Sequence, residues 1–157
     1  MSFKQSLIDN QSVRLGAHAT SWQEAIKIGT DLLVASGAVE PRYYDTIIRC
    51  VEELGSYIII APGLALPHAR PEDGVKRTAF ALVTLAEPVT FPGEETPVAV
   101  FVTLAGSNAD EHMQGLMEVT TILEDPDNEE TGVDLDKILR CRSAEEIYAV
   151  IDAALNG

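Results

Sequence analysis

Tyr57-Ile58-Ile59-Ile60-Ala61-Pro62-Gly63-Leu64-Ala65-Leu66-Pro67-His68 is the stretch where the hydrophobic period of the chain changes. Up to Leu54 apolar residues recur at helical spacing. From Tyr57 to Ile60 they are consecutive and mostly β-branched, which predicts a short strand buried in a sheet. Ala61-Pro62-Gly63 breaks that strand, Leu64 to Leu66 resumes an apolar run, and Pro67-His68 opens onto a polar loop from Ala69 to Lys76. Downstream, Thr78 to Leu85 and Val98 to Leu104 read as two further strands. Between them Glu87 to Pro97 holds three prolines and a glycine, the composition of a loop or wide hairpin turn.

Helices flank this central run. Ser21 and Glu24 form a capping box that opens a helix from Trp22 to Ser36, with Trp22, Ala25, Ile26, Gly29, Leu32 and Leu33 on one face and Gly37 ending it. A second helix starts at Pro41, carries a stripe of Tyr44, Ile47, Ile48, Val51 and Leu54, and stops at Gly55. After the strands, Asp110 to Leu123 follows Gly106-Ser107-Asn108, with Leu116, Val119, Thr120 and Leu123 at helical spacing. A break at Pro126 and Asn128 precedes a short helix over Leu135 to Arg140. Ser143 with Glu146 caps a last helix through Ile147, Val150, Ile151 and Ala154. Helices, strands, then helices predict one α/β domain over residues 1–157, its sheet covered on both faces. The pattern leaves strand order open.

Composition narrows the function. A net charge of −14 repels nucleic acid and anionic lipid and suits a protein that meets basic partners. No apolar run approaches the length that crosses a bilayer, and Met1-Ser2-Phe3-Lys4-Gln5 lacks the apolar core of a secretory signal, so the expected location is the cytoplasm, without membrane insertion. The two cysteines, Cys50 and Cys141, are far apart and outside any CxxC pattern. They read as small packing groups in helices.

The chemical inventory is short. There is no glycine-rich phosphate cradle, no HExxH, no cysteine cluster and no GxSxG. The histidines are His18, His68 and His112. His68 sits where an apolar segment meets a polar loop, behind a proline that fixes its own φ and restricts the residue before it. An imidazole with a pKa near ~6.5 is largely neutral at pH 7 and nucleophilic, although a loop histidine can also be idle. His112 lies in the first turn of a predicted helix, where free N–H groups attract phosphate; an exposed helix histidine is the plainer reading. His18, between two alanines, reads as structural or exposed.

Leu64-Ala65-Leu66-Pro67-His68-Ala69, preceded by Ile60-Ala61 and by Glu53, resembles the active-site signature of enzyme IIA domains of the mannitol/fructose type. These belong to the phosphoenolpyruvate-dependent sugar phosphotransferase system. Asp110-Glu111-His112 resembles the second histidine motif of that family. Val39-Glu40-Pro41-Arg42-Tyr43-Tyr44, Ile60-Ala61-Pro62-Gly63-Leu64-Ala65 and Arg70-Pro71-Glu72 are most similar to its ascorbate-specific branch.

The resemblance implies a mixed β-sheet flanked by helices. It implies that His68 accepts a phosphoryl group from the carrier HPr and passes it to a cysteine of enzyme IIB. The membrane component, enzyme IIC, then phosphorylates the incoming sugar, with ascorbate favoured. It implies that His112 helps hold the phosphoryl group, and that neither metal nor cofactor is needed. Mannitol-type members carry a phosphate-binding arginine upstream of the histidine. Arg49 occupies roughly that region, and Arg70 is the alternative contact. Pro62, Gly63, Leu64 and the loop from Val89 to Pro92 are the expected rim for a docking partner. Two rivals stand beside this reading: a regulatory domain of the same type that signals its phosphorylation state by binding a target, and a metal-dependent hydrolase using His68, His112 and Asp110.

Overall fold

The computed structural model describes residues 2–156. Five strands form a mixed sheet in the order β1-β4-β5-β3-β2, where β1 is Val13–Ala17, β2 Ile59–Ala61, β3 Leu64–Ala65, β4 Ala79–Val89 and β5 Val98–Ala105. β1 runs parallel to β4 and β3 parallel to β5; the β4–β5 and β2–β3 pairs are antiparallel. The helices are α1 (Phe3–Asn10), α2 (Trp22–Ala35), α3 (Arg42–Leu54), α4 (Ala109–Leu123), α5 (Asp136–Leu139) and α6 (Ala144–Asn156), with a 3-10 turn at Pro71–Asp73. The expected α/β domain, a mixed sheet with helices on both faces, is what the chain forms.

β4 and β5 are central and buried on both faces, which is why they read as continuous apolar runs. Alternate residues serve opposite layers. Ala81, Val83 and Leu85 join Trp22, Ile26 and Leu33 of α2 and Tyr43, Ile47 and Val51 of α3. Phe80, Leu82, Val100, Val102 and Leu104 join Phe3 and Leu7 of α1, Val119 and Ile122 of α4, and Ile147 and Ile151 of α6. Gly29 lets α2 lie close on β5, because a Cβ there would stand 2.3 Å from Thr103 Oγ1.

Several expectations need correction. The strand expected at Tyr57 to Ile60 is not a buried central strand. It is the three-residue edge strand Ile59–Ala61, with Ile60 exposed, and it turns back at once into β3 through Gly63 at φ 86°. β4 runs four residues past Leu85 to Val89, through Pro88. A register shift between Thr84 and Val89 accommodates the missing proline donor. The stripe of α3 turns by about one residue: Tyr43 is fully buried, Tyr44 only partly, and Leu54 is 73% exposed. Cys141 lies just beyond α5 rather than within a helix.

α1 and β1 had no counterpart in the sequence reading. The buried face of α1 is Phe3, Ser6, Leu7 and Asn10, half of it polar, so it carries little hydrophobic signal. Those polar groups are satisfied within the fold: Phe80 N donates to Ser6 Oγ at 2.8 Å, and Asn10 Nδ2 to Ser6 O at 2.8 Å. Among the described residues, no helix is long and apolar enough to cross a membrane.

Candidate functional site

His68 emerges from the end of β3 through Leu66 and a buried Pro67. Backbone bonds tie this segment on both sides: Leu66 N donates to Ile58 O at 2.7 Å, and Leu104 N of β5 to Pro67 O at 2.9 Å. The half-buried imidazole folds back on its own chain, with Nδ1 2.6 Å from the Leu66 carbonyl oxygen. A carbonyl only accepts, so Nδ1 carries the proton and Nε2 keeps its lone pair.

His112 stands opposite. The two ring centroids are 5.1 Å apart at 61°. His112 comes from the first turn of α4, which is built to start there. Asn108 caps the helix by accepting from Glu111 N at 2.9 Å. The Glu111 carboxylate accepts from the hydroxyls of Ser107 and Thr78, which fastens the helix start to the head of β4. Those hydroxyls, Ser107 first, hold the Glu111 carboxyl below the usual carboxylate range. Gly106 brings α4 against β5, since a Cβ there would lie 2.8 Å from His112 Cα. His112 Nδ1 is buried without a partner. A lone pair is cheaper to leave there than an N–H, so Nε2–H is the favoured tautomer and offers a donor to the open side.

The two imidazoles line a cavity of about 590 Å³. Cys50 and Leu54 of α3, Tyr57, and Ala109 and Met113 of α4 make its largely apolar wall. Ala69, Arg70, Pro71 and Asp73 complete it. Met113 is 55% exposed. Ala109 opens α4, so the positive end of that helix dipole borders the cavity.

Burial drives both histidines below the ordinary imidazole value. For His68 the bond to Leu66 O pulls partly back; for His112 the neighbouring His68 depresses it further. Both rings are therefore neutral at pH 7. As pH falls through about 6.5, the unfolded chain binds protons that the folded chain refuses, so stability declines until the folded rings also protonate. Urea unfolding at pH 7.5 and 5.5 should show this decline, and His68→Gln and His112→Gln should each flatten it. Equal slopes in wild type and variants would contradict the assignment.

Thus the structure brings His68 and His112 together. Arg70 lies on the wall but is exposed, and its Nε faces Glu72 at 3.4 Å and Asp73 at 3.5 Å. Arg49 is exposed on α3 and is not a wall residue. His18 is exposed beyond β1. Among the described residues no three His, Cys, Asp or Glu side chains are grouped to hold a metal ion. The expected docking rim is also corrected. Leu64, Val89 and Phe91 are core residues, 1%, 6% and 1% exposed; Pro62, Thr90 and Pro92 are exposed but do not line the cavity, whose exposed apolar side chains are Leu54 and Met113.

Two site residues were missed as such. Tyr43 and Tyr57 bond the backbone on the far side of His68, at Ala69 N and His68 O. The expected stripe of α3 put Tyr44 rather than Tyr43 on the buried face, so the need of a buried phenol for a partner gave no signal at Tyr43. The contacts of Tyr57 depend on the turn after Gly55 and left no trace in the pattern.

Residues 6–154 match the family model described as "Phosphoenolpyruvate-dependent sugar phosphotransferase system, EIIA 2". The chain belongs to this EIIA family. It is therefore a phosphotransferase component of the sugar phosphotransferase system. It is 47% identical over 154 residues to the ascorbate-specific PTS system EIIA component of Salmonella choleraesuis, covering 97% of this chain and 96% of that one. The crystal structure of a candidate PTS IIA protein, PtxA, from Streptococcus mutans superposes with a TM-score of 0.90 at 37% identity, covering 100% of this chain and 97% of the other. Enzyme IIAMTL of Escherichia coli, solved in complex with phosphorylated enzyme IIBMTL, shares the fold at a TM-score of 0.75 and 23% identity, covering 91% and 95% of the two chains.

Proposed function

We propose that this EIIA chain is a single phosphocarrier domain in which His68 Nε2 takes a phosphoryl group from the phosphohistidine of HPr and passes it to a cysteine of enzyme IIB. The observation that carries this reading is the Nδ1–H···O=C bond to Leu66, which leaves Nε2 as the free nucleophile facing His112. In the first step the Nε2–P bond forms as the donor's N–P bond breaks, and the donor imidazole leaves. No proton need move: the charge that develops on the His68 ring strengthens its Nδ1–H bond to Leu66 O. In the second step a thiolate of enzyme IIB attacks phosphorus and His68 leaves as neutral imidazole.

Phosphoryl transfer passes through a loose transition state with charge on the equatorial oxygens. His112 Nε2–H and the first N–H groups of α4 are the donors for those oxygens, with Arg70 the cation on the wall. Arg49 has no such position. Transfer to enzyme IIB is supported by the Escherichia coli neighbour solved as that kind of complex. L-ascorbate as the sugar taken up through enzyme IIC is supported by the ascorbate-specific relative. Such a relay places the chain in the cytoplasm.

The cavity is far larger than a phosphoryl group and exposed apolar side chains border it, so it has room for partner side chains. Leu54, 73% exposed, and Met113, 55% exposed, are the apolar centre of that contact. Leu54→Glu and Met113→Glu should each slow transfer from phospho-HPr by roughly 10-fold or more through weaker docking, with the rate recovered at high donor concentration. Unchanged concentration dependence in both variants would remove these residues from the interface.

The reading as a whole is tested by incubating the protein with phosphoenolpyruvate, enzyme I and HPr and following intact mass. One added phosphate, acid-labile and on Nε2 by NMR, is expected. A folded chain that takes up none would refute it.

A further inference from the structure

One peptide group, the one joining His68 to Ala69, is gripped at both ends by phenols. Tyr57 O–H donates to the His68 carbonyl oxygen at 2.5 Å, and Ala69 N–H donates to Tyr43 Oη at 3.0 Å. The Tyr43 proton goes on to Leu104 O of β5 at 2.7 Å, rather than to Ala69 O at 3.4 Å. The ladder between β3 and β5 explains why this matters. Their parallel pairing includes Ala65 with Phe101, and Leu104 N still donates to Pro67 O. Where Ala69 N–H would next reach Leu104 O, the Tyr43 hydroxyl stands between them. It holds the His68–Ala69 segment one oxygen's width away from β5.

Phenylalanine would fill either ring position, so packing does not call for the hydroxyls. Tyr43 is fully buried, and its hydroxyl bears a desolvation cost that only its two bonds offset. Burial pushes its pKa far above the ordinary phenol value, so it remains a neutral donor. The Tyr57 ring also stands edge-on to the His68 imidazole, centroids 5.2 Å apart at 83°. With Pro67 restricting the chain before His68, the backbone is held on both sides of the nucleophile.

We infer that Tyr43 and Tyr57 are positioning residues for the phosphoryl transfer proposed above: together they fix the His68–Ala69 peptide plane and so aim the imidazole at His112. The inference rests on that reading of His68. Displacements of about 1 Å in a reacting group can cost up to ~10²-fold in rate, so removing either hydroxyl should cost on the order of 10-fold.

The test compares Tyr43→Phe, Tyr57→Phe and the double variant with Tyr44→Phe, whose hydroxyl donates to Gln23 O away from the cavity. Two quantities are measured: the single-turnover rate of phosphate uptake from phospho-HPr, and the ¹⁵N shifts of the His68 ring without phosphate. Each site variant should lose about 10-fold in rate and show the Nδ1–H tautomer diluted, while Tyr44→Phe stays within about twofold of wild type. The double variant should lose less than the product of the singles, since both hydroxyls hold one peptide. Folded Tyr57→Phe with wild-type rate and ring shifts would overturn the inference, even if Tyr43→Phe proved too unstable to assay. Wild-type protein that accepts no phosphate would instead refute the carrier reading, and the ring shifts would still decide whether the tyrosines aim His68.

Discussion

His68→Ala should take up no phosphate at all from phospho-HPr, whereas His112→Ala should still take it up, slowed by on the order of 10²-fold. The asymmetry follows from the two ring environments. His68 has its Nδ1 proton committed to Leu66 O and presents a lone pair, so in the proposed relay it is the ring that would form the new bond. His112 has a buried, unpartnered Nδ1, which favours Nε2–H, so in the same proposal it would stabilise oxygens without bonding to phosphorus. Removing one donor of that kind from a transition-state cradle typically costs ~10²–10³ in rate. Intact mass after complete reaction and a rapid-quench time course separate the two effects. If His112→Ala abolished incorporation and His68→Ala retained it, the roles would be reversed. If both retained it, the carrier would lie elsewhere in the chain.

Gly106→Ala should damage stability and transfer together. The added methyl would sit 2.8 Å from both Cα and Cβ of His112 and 2.9 Å from its backbone N. Most of that obstacle is helix backbone, so no rotamer change relieves it; the first turn of α4 must move outward by roughly 1 Å to restore carbon–carbon contacts of about 3.5–4 Å. Overpacking of this kind costs about 1–3 kcal/mol. For a chain of this size that lowers Tm by roughly 2–4 °C per kcal/mol. The same movement carries His112 away from His68, so the transfer rate should fall by ~10-fold or more in the protein that remains folded. Gly93→Ala is the control, because its site is open within 4 Å; its positive φ makes it a strained position without any contact to the cavity. A melt and a rate at Gly106→Ala both equal to wild type would show that α4 is free to slide on β5.

Both predictions depend on features that differ in how far the sequence reveals them. The two central strands were legible because an apolar run buried on both faces needs no partner to be recognised. The starts of α2 and α6 were legible because Ser21 and Ser143 cap them through local bonds to Glu24 N and Glu146 N. His68 stood out because a proline and a change from apolar to polar residues lie within three positions of it. α1 was invisible for the opposite reason: its buried face contains Ser6 and Asn10, whose burial is tolerated only because Phe80 N and Arg77 come from β4 and the turn before it. The tilt of the α3 stripe, which exposes Leu54 and buries Tyr43, likewise depends on what lies beneath that helix.

What the chain determined by itself, then, is local: helix caps, turn glycines, the unbroken apolar strands, and a histidine fixed behind a proline at the edge of a polar loop. These follow from interactions spanning a few residues, which periodicity and residue type record. What only the tertiary structure decided is the meeting of parts that are distant in sequence. The approach of His112 to His68, the surroundings that favour a free lone pair on one ring and a free N–H on the other, the bond from Tyr43 to Leu104 and the exposed apolar side chains of Leu54 and Met113 all arise where α3, β5 and α4 converge. The reason is physical: burial and hydrogen bonding set the proton on each imidazole, and both depend on neighbours that the fold supplies from far along the chain.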